Sequence, residues 1–169
     1  MITLGLSEIL VGPAAPDGNM PKPDQLKKIG KTYKDTAKLG QDKSEVTEHY
    51  EEGRAAPEVR KKTKKIPVFT FSIMNADIDM LVAYVGGTKE EKKEGGKSKW
   101  TFDGSENVAN CSFLIKSDQG LWFEVPNGDI DAVINSEMSA KGIFLVDFVV
   151  TPLAVSEGKA IRAYDPDEK

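Results

Sequence analysis

The sequence has one cysteine and one histidine in 169 residues, and each scarcity removes a class of proteins. With Cys111 alone no intramolecular disulfide can form, which excludes the cross-linked framework of a small secreted domain. Cys111 lies in an apolar-alternating run and reads as a core thiol, because free cysteine behaves as a small hydrophobe. One histidine and one cysteine do not make a Cys/His zinc cluster. His49 sits beside Glu45, Glu48 and Glu51, where an exposed side chain is expected. Long apolar runs are also missing. The most apolar, Ile143 to Val150, is broken by Asp147 and falls far short of the roughly 20 residues that a bilayer-spanning helix needs. Nor is there a basic surplus: 23 Lys and Arg against 27 Asp and Glu leave a net charge of −4, which disfavours a nucleic-acid-binding domain. Met1 to Leu6 carries neither the positive flank nor the apolar stretch of a signal peptide, so a protein made and kept in a cytoplasm is expected.

Catalytic constellations are scarce too. Acid-base or nucleophilic chemistry needs tuned groups within reach of one another, and the sequence presents no such set. Gly86-Gly87 closes a helix and Gly95-Gly96 lies in a charged loop, so neither opens a helix as a phosphate-binding loop must. Asp77 and Asp79 stand where a helix N-terminus favours negative charge, and Asp129 and Asp131 alternate with Ile130 on the exposed face of a strand. Neither pair has the further oxygen ligands of a calcium loop. The expectation is a protein that is not an enzyme and takes no cofactor or metal.

What is present is a charged, β-patterned chain. Its length suits one domain with a full core; 30% charged and 39% apolar residues suit a folded protein with a wet surface. Residues 2–11 alternate loosely and predict a first strand, ending in the turn-rich stretch 12–18. Lys31 to Leu39 places Tyr33, Ala37 and Leu39 on one parity and predicts a half-buried strand. Phe69, Phe71 and Ile73 share a face and predict a strand entering the core. Asn75 or Asp77 caps a helix over 77–85, with Ile78, Leu81, Val82 and Val85 as one stripe and Gly86-Gly87 as its stop. The run 88–99 reads as a solvated, mobile loop.

The C-terminal half predicts a meander. Cys111, Phe113 and Ile115 share a face, as do Leu121, Phe123 and Val125. Asn127-Gly128 predicts a tight hairpin turn, and Ile143 to Thr151, apolar on both parities, predicts a central strand. The expected core is Phe69, Phe71, Ile73, Leu81, Val82, Phe113, Ile115, Leu121, Phe123, Ile143, Leu145 and Val149. The tail 156–169 reads as frayed. The fold class is mainly β (α+β): a β-sandwich or partly closed β-barrel of residues 1–155, with one short flanking helix and a long charged β-hairpin.

That hairpin spans 43–65. Acidic residues crowd one arm and basic residues the other, and opposite charges facing across strands contribute about 0.2–1 kcal/mol per pair. Neither arm has a consistently apolar face, so the hairpin is too polar for a monomer core and needs a partner; the alternative reading of this stretch is a flexible charged loop. The candidate inter-subunit contact residues are Glu45, Glu48, Tyr50 and Glu51 on one arm, with Val59, Arg60, Lys62 and Lys64 on the other.

The order of elements resembles the major tail tube protein of tailed bacteriophages and its relatives in contractile injection machines and type VI secretion tubes. The residues that carry it are the opening strand Leu4 to Gly12 with the Gly/Pro/Asp loop behind it, the stretch Gly30 to Ala37, and the charged hairpin. Phe69-Thr70-Phe71 then feeds the helix with Leu81 and Gly86-Gly87, and the meander closes in Val149 to Leu153. The resemblance covers residues 2–155, while 89–99 and the tail after 156 have no expected counterpart. It implies a structural protein of the virion tail or a prophage, made in the bacterial host cytoplasm. It implies self-assembly into hexameric rings stacked into a tube, with a hairpin reaching the neighbouring ring and DNA passing through an acidic lumen. The implied partners are further copies of the chain and other tail proteins such as the tape measure, the tail terminator and a sheath, with no membrane. The alternative is a β-sandwich ligand- or carbohydrate-binding module using Trp100, Trp122 and Phe123; a small hydrolase is disfavoured by the missing acid-base groups.

Overall fold

In a computed structural model, which describes residues 2–91, 96–105 and 107–168, twelve strands and one short helix follow one another along the chain. They are β1 (Glu8–Pro13), β2 (Lys27–Lys28), β3 (Lys38–Gly40), β4 (Glu45–His49), β5 (Val59–Thr63) and β6 (Val68–Ile73), then helix α1 (Ile78–Met80). After it come β7 (Thr88–Glu90), β8 (Lys99–Thr101), β9 (Ala109–Lys116), β10 (Trp122–Ser136), β11 (Phe144–Pro152) and β12 (Arg162–Tyr164). The fold is mainly β. One eight-stranded antiparallel sheet runs β2-β1-β9-β10-β11-β6-β3, with β12 added beside β10. The hairpins β4-β5 and β7-β8 each form a separate two-stranded sheet.

The large sheet does not close into a barrel, but residues 29–33 run between its two ends. Ile29 donates its N–H to the Ile9 carbonyl at 3.1 Å on the β1 side, while Tyr33 donates to Ser72 at 2.8 Å on the β6 side. The Met74 N–H returns to the Lys31 carbonyl at 3.0 Å. Lys31 to Leu39 is therefore mostly not a strand, contrary to its alternation: Thr32 makes one isolated bridge to Ile73, Lys38–Gly40 pairs with β6, and Tyr33 and Leu39 stay exposed. The backbone of this stretch is committed to crossing from one sheet end to the other.

The core lies on one face of the large sheet. Phe71 stands opposite Phe148 in the β6-β11 register, and their rings stack at 5.0 Å with a 6° interplanar angle. Phe113 meets Phe71 edge-on at 6.5 Å, and Tyr84 meets Phe148 at 5.4 Å. Phe69, Phe71, Ile73, Leu81, Phe113 and Ile115 are buried as expected, with Val146, Phe148 and Val150 beside them. Ile143, Leu145 and Val149 do not belong to this core: the first two are half-buried and Val149 is exposed. Asp147 shares the parity of Ile143, Leu145 and Val149 and marks it as the outer face, while the wholly apolar parity of Val146, Phe148 and Val150 meets β6 on the core side. Val82, Leu121 and Phe123 are half-buried rather than buried.

The predicted turn at Asn127-Gly128 is absent. Instead β10 continues for 15 residues through both positions. Between Val125, opposite Phe113, and Gly128, opposite Cys111, the strand gains one residue, a β-bulge. Proline at 126 donates no hydrogen bond and suits that irregular position. The carbonyls of Pro126 and Asn127 accept from Ala15 at 2.9 Å and Leu153 at 2.8 Å. Before the bulge β10 pairs with β12, and from Gly128 onward with β11. The tail is thus tied down in part by β12, where arginine and carboxylate meet as Arg162 and Glu124 at 3.2 Å.

The helix is shorter than its stripe implied. Asp77 caps it by accepting from the Met80 N–H at 2.8 Å, and the Leu81 N–H reaches the Asp77 carbonyl at 3.0 Å. From Leu81 to Val85 the turn widens, and the Gly86 N–H bonds five residues back to Leu81 at 2.9 Å. That widening brings Tyr84 onto the core beside Leu81, leaving Val82 half-buried. The expected mobile loop 88–99 is paired at its ends: Thr88–Glu90 and Lys99–Thr101 form β7-β8, and residues 92–95 lie outside the described residues. Lys89, which pairs with Asp79 at 2.7 Å, anchors that hairpin to the helix start.

Candidate assembly interface

The charged hairpin exists, and its register sets the electrostatics. Glu45 lies opposite Thr63, Val46 opposite Lys62, Thr47 opposite Lys61, Glu48 opposite Arg60 and His49 opposite Val59. Valine and threonine on both arms favour extended backbone, while the rest of the arms is polar. Every residue of β5 is exposed, and every residue of β4 but the half-buried Glu48. No hairpin residue joins the core cluster, and neither strand pairs with the large sheet.

Of the opposed pairs, only Glu48 and Arg60 bring unlike charges face to face, at 2.7 Å. Glu48 also accepts from the Tyr50 hydroxyl at 2.6 Å, a bond that raises the tyrosine above its ordinary ionisation range. Glu45 reaches past its opposite number to Lys65 at 3.0 Å, and Glu51 pairs locally with Arg54 at 2.5 Å. So four of the eight candidate residues, Glu48, Tyr50, Arg60 and Val59, cluster at the distal end of the paired segment. Glu45 is tied to Lys65 at its base, and Glu51 lies in the connecting turn. Among the described residues Lys61, Lys62 and Lys64 form no ion pair. Arg54 lies between the arms and escapes a reading by arms, while Lys65 belongs to the basic arm but pairs diagonally rather than opposite. Gln41, whose side-chain amide donates to the Lys65 carbonyl at 2.7 Å, also went unsignalled.

Exposed ion pairs of this kind contribute only about 0–1 kcal/mol each. An isolated two-stranded hairpin is marginal in water, so these bonds shape the arm without fixing it firmly. Its outer edges carry backbone groups that can accept another strand.

The other candidate surface, the aromatic one, is not assembled. Trp100 stacks near Phe102 at 5.7 Å, and its indole N–H donates to the Gly86 carbonyl at 2.8 Å. Trp122 instead packs edge-on against Tyr164 at 6.1 Å with the Lys116 ammonium 5.0 Å over its ring. Phe123 lines a third place, a groove of about 670 Å³ with Tyr33 and Leu39. Three aromatics on three surfaces do not form one sugar-stacking platform.

His49 is exposed on β4. Cys111 is half-buried; burial pushes its thiol up, partly offset by the Tyr84 hydroxyl. Asp77 is a helix cap; on either side of buried Ile130, Asp131 is exposed as expected and Asp129 is half-buried. Among the described residues no three His, Cys, Asp or Glu side chains gather as a metal site, and no helix is long and apolar enough to cross a membrane.

The sequence matches no family model and no curated protein. Among solved structures the chain is similar to one in a cryo-EM structure of the anti-feeding prophage (AFP) baseplate, 6-fold symmetrised. The identity is 11% and the TM-score 0.44, covering 99% of this chain and 100% of that one. At that identity and score the likeness carries no argument about function.

Proposed function

We propose that this chain is a non-catalytic structural subunit that assembles with copies of itself, as the tail-tube resemblance of its sequence implies. In that reading the copies form rings stacked into a phage tail tube or related injection tube. The single observation that supports it is the hairpin β4-β5, a polar arm that among the described residues pairs only with itself and leaves both outer edges free. Such an arm gains from its own chain too little to offset the backbone entropy of ordering it, about 1–2 kcal/mol per residue. Pairing with a neighbouring copy supplies the missing backbone hydrogen bonds. The net negative charge suits a conduit through which DNA passes without being held.

The test is to delete Glu48 to Lys62, bridge the gap with a short Gly/Ser linker, and follow melting and assembly together. The expected variant melts as the parent does and stays monomeric under conditions where the parent forms rings or tubes in the electron microscope. A variant that still builds tubes defeats the proposal.

A further inference from the structure

Strand β10, at 15 residues, outruns β9 at its C-terminal end. On one side β11 accompanies it to Ser136, but on the other β9 stops at Ala109, opposite Ile130. Residues Asp131 to Ser136 therefore have one edge with no strand beside it, and among the described residues no other backbone hydrogen bond reaches them. This edge borders a groove of about 710 Å³ whose walls include Phe102, Val108, Val133 and Ile134. Those four side chains are exposed by 52, 79, 51 and 41%, an apolar margin along an open strand edge. Water is a poor neighbour for that margin, and an open edge with apolar flanks is the template that strand addition uses.

Charge selects the occupant. Asp129 and Asp131 both line the groove. The acidic arm β4, with Glu45 and Glu48, would be repelled there, whereas the outer edge of β5 brings Lys61 and Lys62, which have no ion pair among the described residues. The lengths agree, five residues of β5 against six of the open edge, and Val59, 57% exposed, offers an apolar side chain for the groove. Among the described residues of one chain, no strand pairs with either edge. Resting on the assembly reading above, we propose that Asp131–Ser136 of one copy receives the outer edge of Val59–Thr63 from a second copy, extending the large sheet across the subunit boundary.

The test uses the full chain with three variants: Val133→Lys, which puts a charge on an exposed edge position, Asp131→Lys, and the double change Lys61→Glu with Lys62→Glu. All lie on exposed positions, so melting should stay unchanged. Each single-surface variant should raise the protein concentration needed for assembly by about tenfold or more. Mixing Asp131→Lys with the Lys61/Lys62 double variant should recover assembly, because the reversed charges then meet between copies. Site-directed cross-linking gives the geometry: Val133→Cys and Lys61→Cys chains, mixed and oxidised, should form a heterodimer, whereas Val133→Cys with Thr47→Cys should not. Assembly that survives Val133→Lys and Asp131→Lys but fails on hairpin deletion overturns the edge proposal and leaves the assembly reading standing. Cross-linking through Thr47 alone likewise assigns the edge to the acidic arm and overturns it. A parent chain that stays monomeric up to about 1 mM overturns both.

Discussion

Gly128 stands so close to Val150 that a Cβ built on the glycine would lie 2.7 Å from the valine Cγ1. Val150 is fully buried and cannot step aside, and the same added atom would crowd Val125 and the Cys111 carbonyl. The glycine is there for space at the bulge of β10. Gly128→Ala is expected to cost on the order of 1–3 kcal/mol by overpacking. A thermal or urea melt superimposable on the parent's would show that the bulge yields more readily than this packing suggests.

The stacked pair Phe71 and Phe148 is the centre of the core, with both rings no more than 2% exposed. Replacing Phe148 with Ala should cost about 3–5 kcal/mol. Its neighbour Val149 points the other way and, replaced by Ala, should cost below about 1 kcal/mol. The contrast between adjacent residues is the measurement: equal losses in denaturant titrations would mean the β6-β11 register is shifted by one.

Asp147 ties three strands together on the face away from the core. It accepts from the Ser72 hydroxyl at 2.5 Å and from the Asn135 amide at 2.7 Å. Ser72 is 7% exposed, so Asp147→Ala leaves a buried hydroxyl without its acceptor, at a cost of about 1–3 kcal/mol. Removing both partners, Ser72→Ala with Asp147→Val, should cost less than Asp147→Ala alone. A double-mutant cycle with additive losses would argue that the two side chains do not interact.

Stability should fall at alkaline pH. Burial pushes Tyr84 up from 10.0 to about 12 and raises Cys111 above its ordinary 9.0. Both groups are held neutral by the fold. Their contribution is complete below the unfolded values and is lost as pH rises through the folded ones, the window opening near 9.0 for Cys111 and at 10.0 for Tyr84. Tyr84→Phe should flatten the melting temperature profile above pH 10.0, and the Cys111 thiol should react slowly with a disulfide reagent at neutral pH until the protein unfolds. Rapid labelling of the folded protein would contradict the burial of that thiol.

Much of the chain was decided by its sequence. Alternation at Phe69, Phe71 and Ile73 and at Phe113 and Ile115 placed those side chains in the core, and the order of charges from Glu45 to Lys65 laid out a self-paired arm. Asp77 marked the helix start, and Gly86 the end of the widened turn that follows it. These are local properties, fixed by spacing along one strand or one turn. Tertiary structure decided the rest. It made Asn127-Gly128 a bulge, because β9, β11 and the Pro126 and Asn127 carbonyl partners hold the strand straight through a dipeptide that prefers to turn. It set Val146, Phe148 and Val150 against Phe69, Phe71 and Ile73 through the β6-β11 register, a face that Asp147, on the parity of Leu145 and Val149, already marked as the inner one by exclusion. It also left the edge of Asp131 to Ser136 open, since the length of one strand relative to its neighbours is not written in either strand alone.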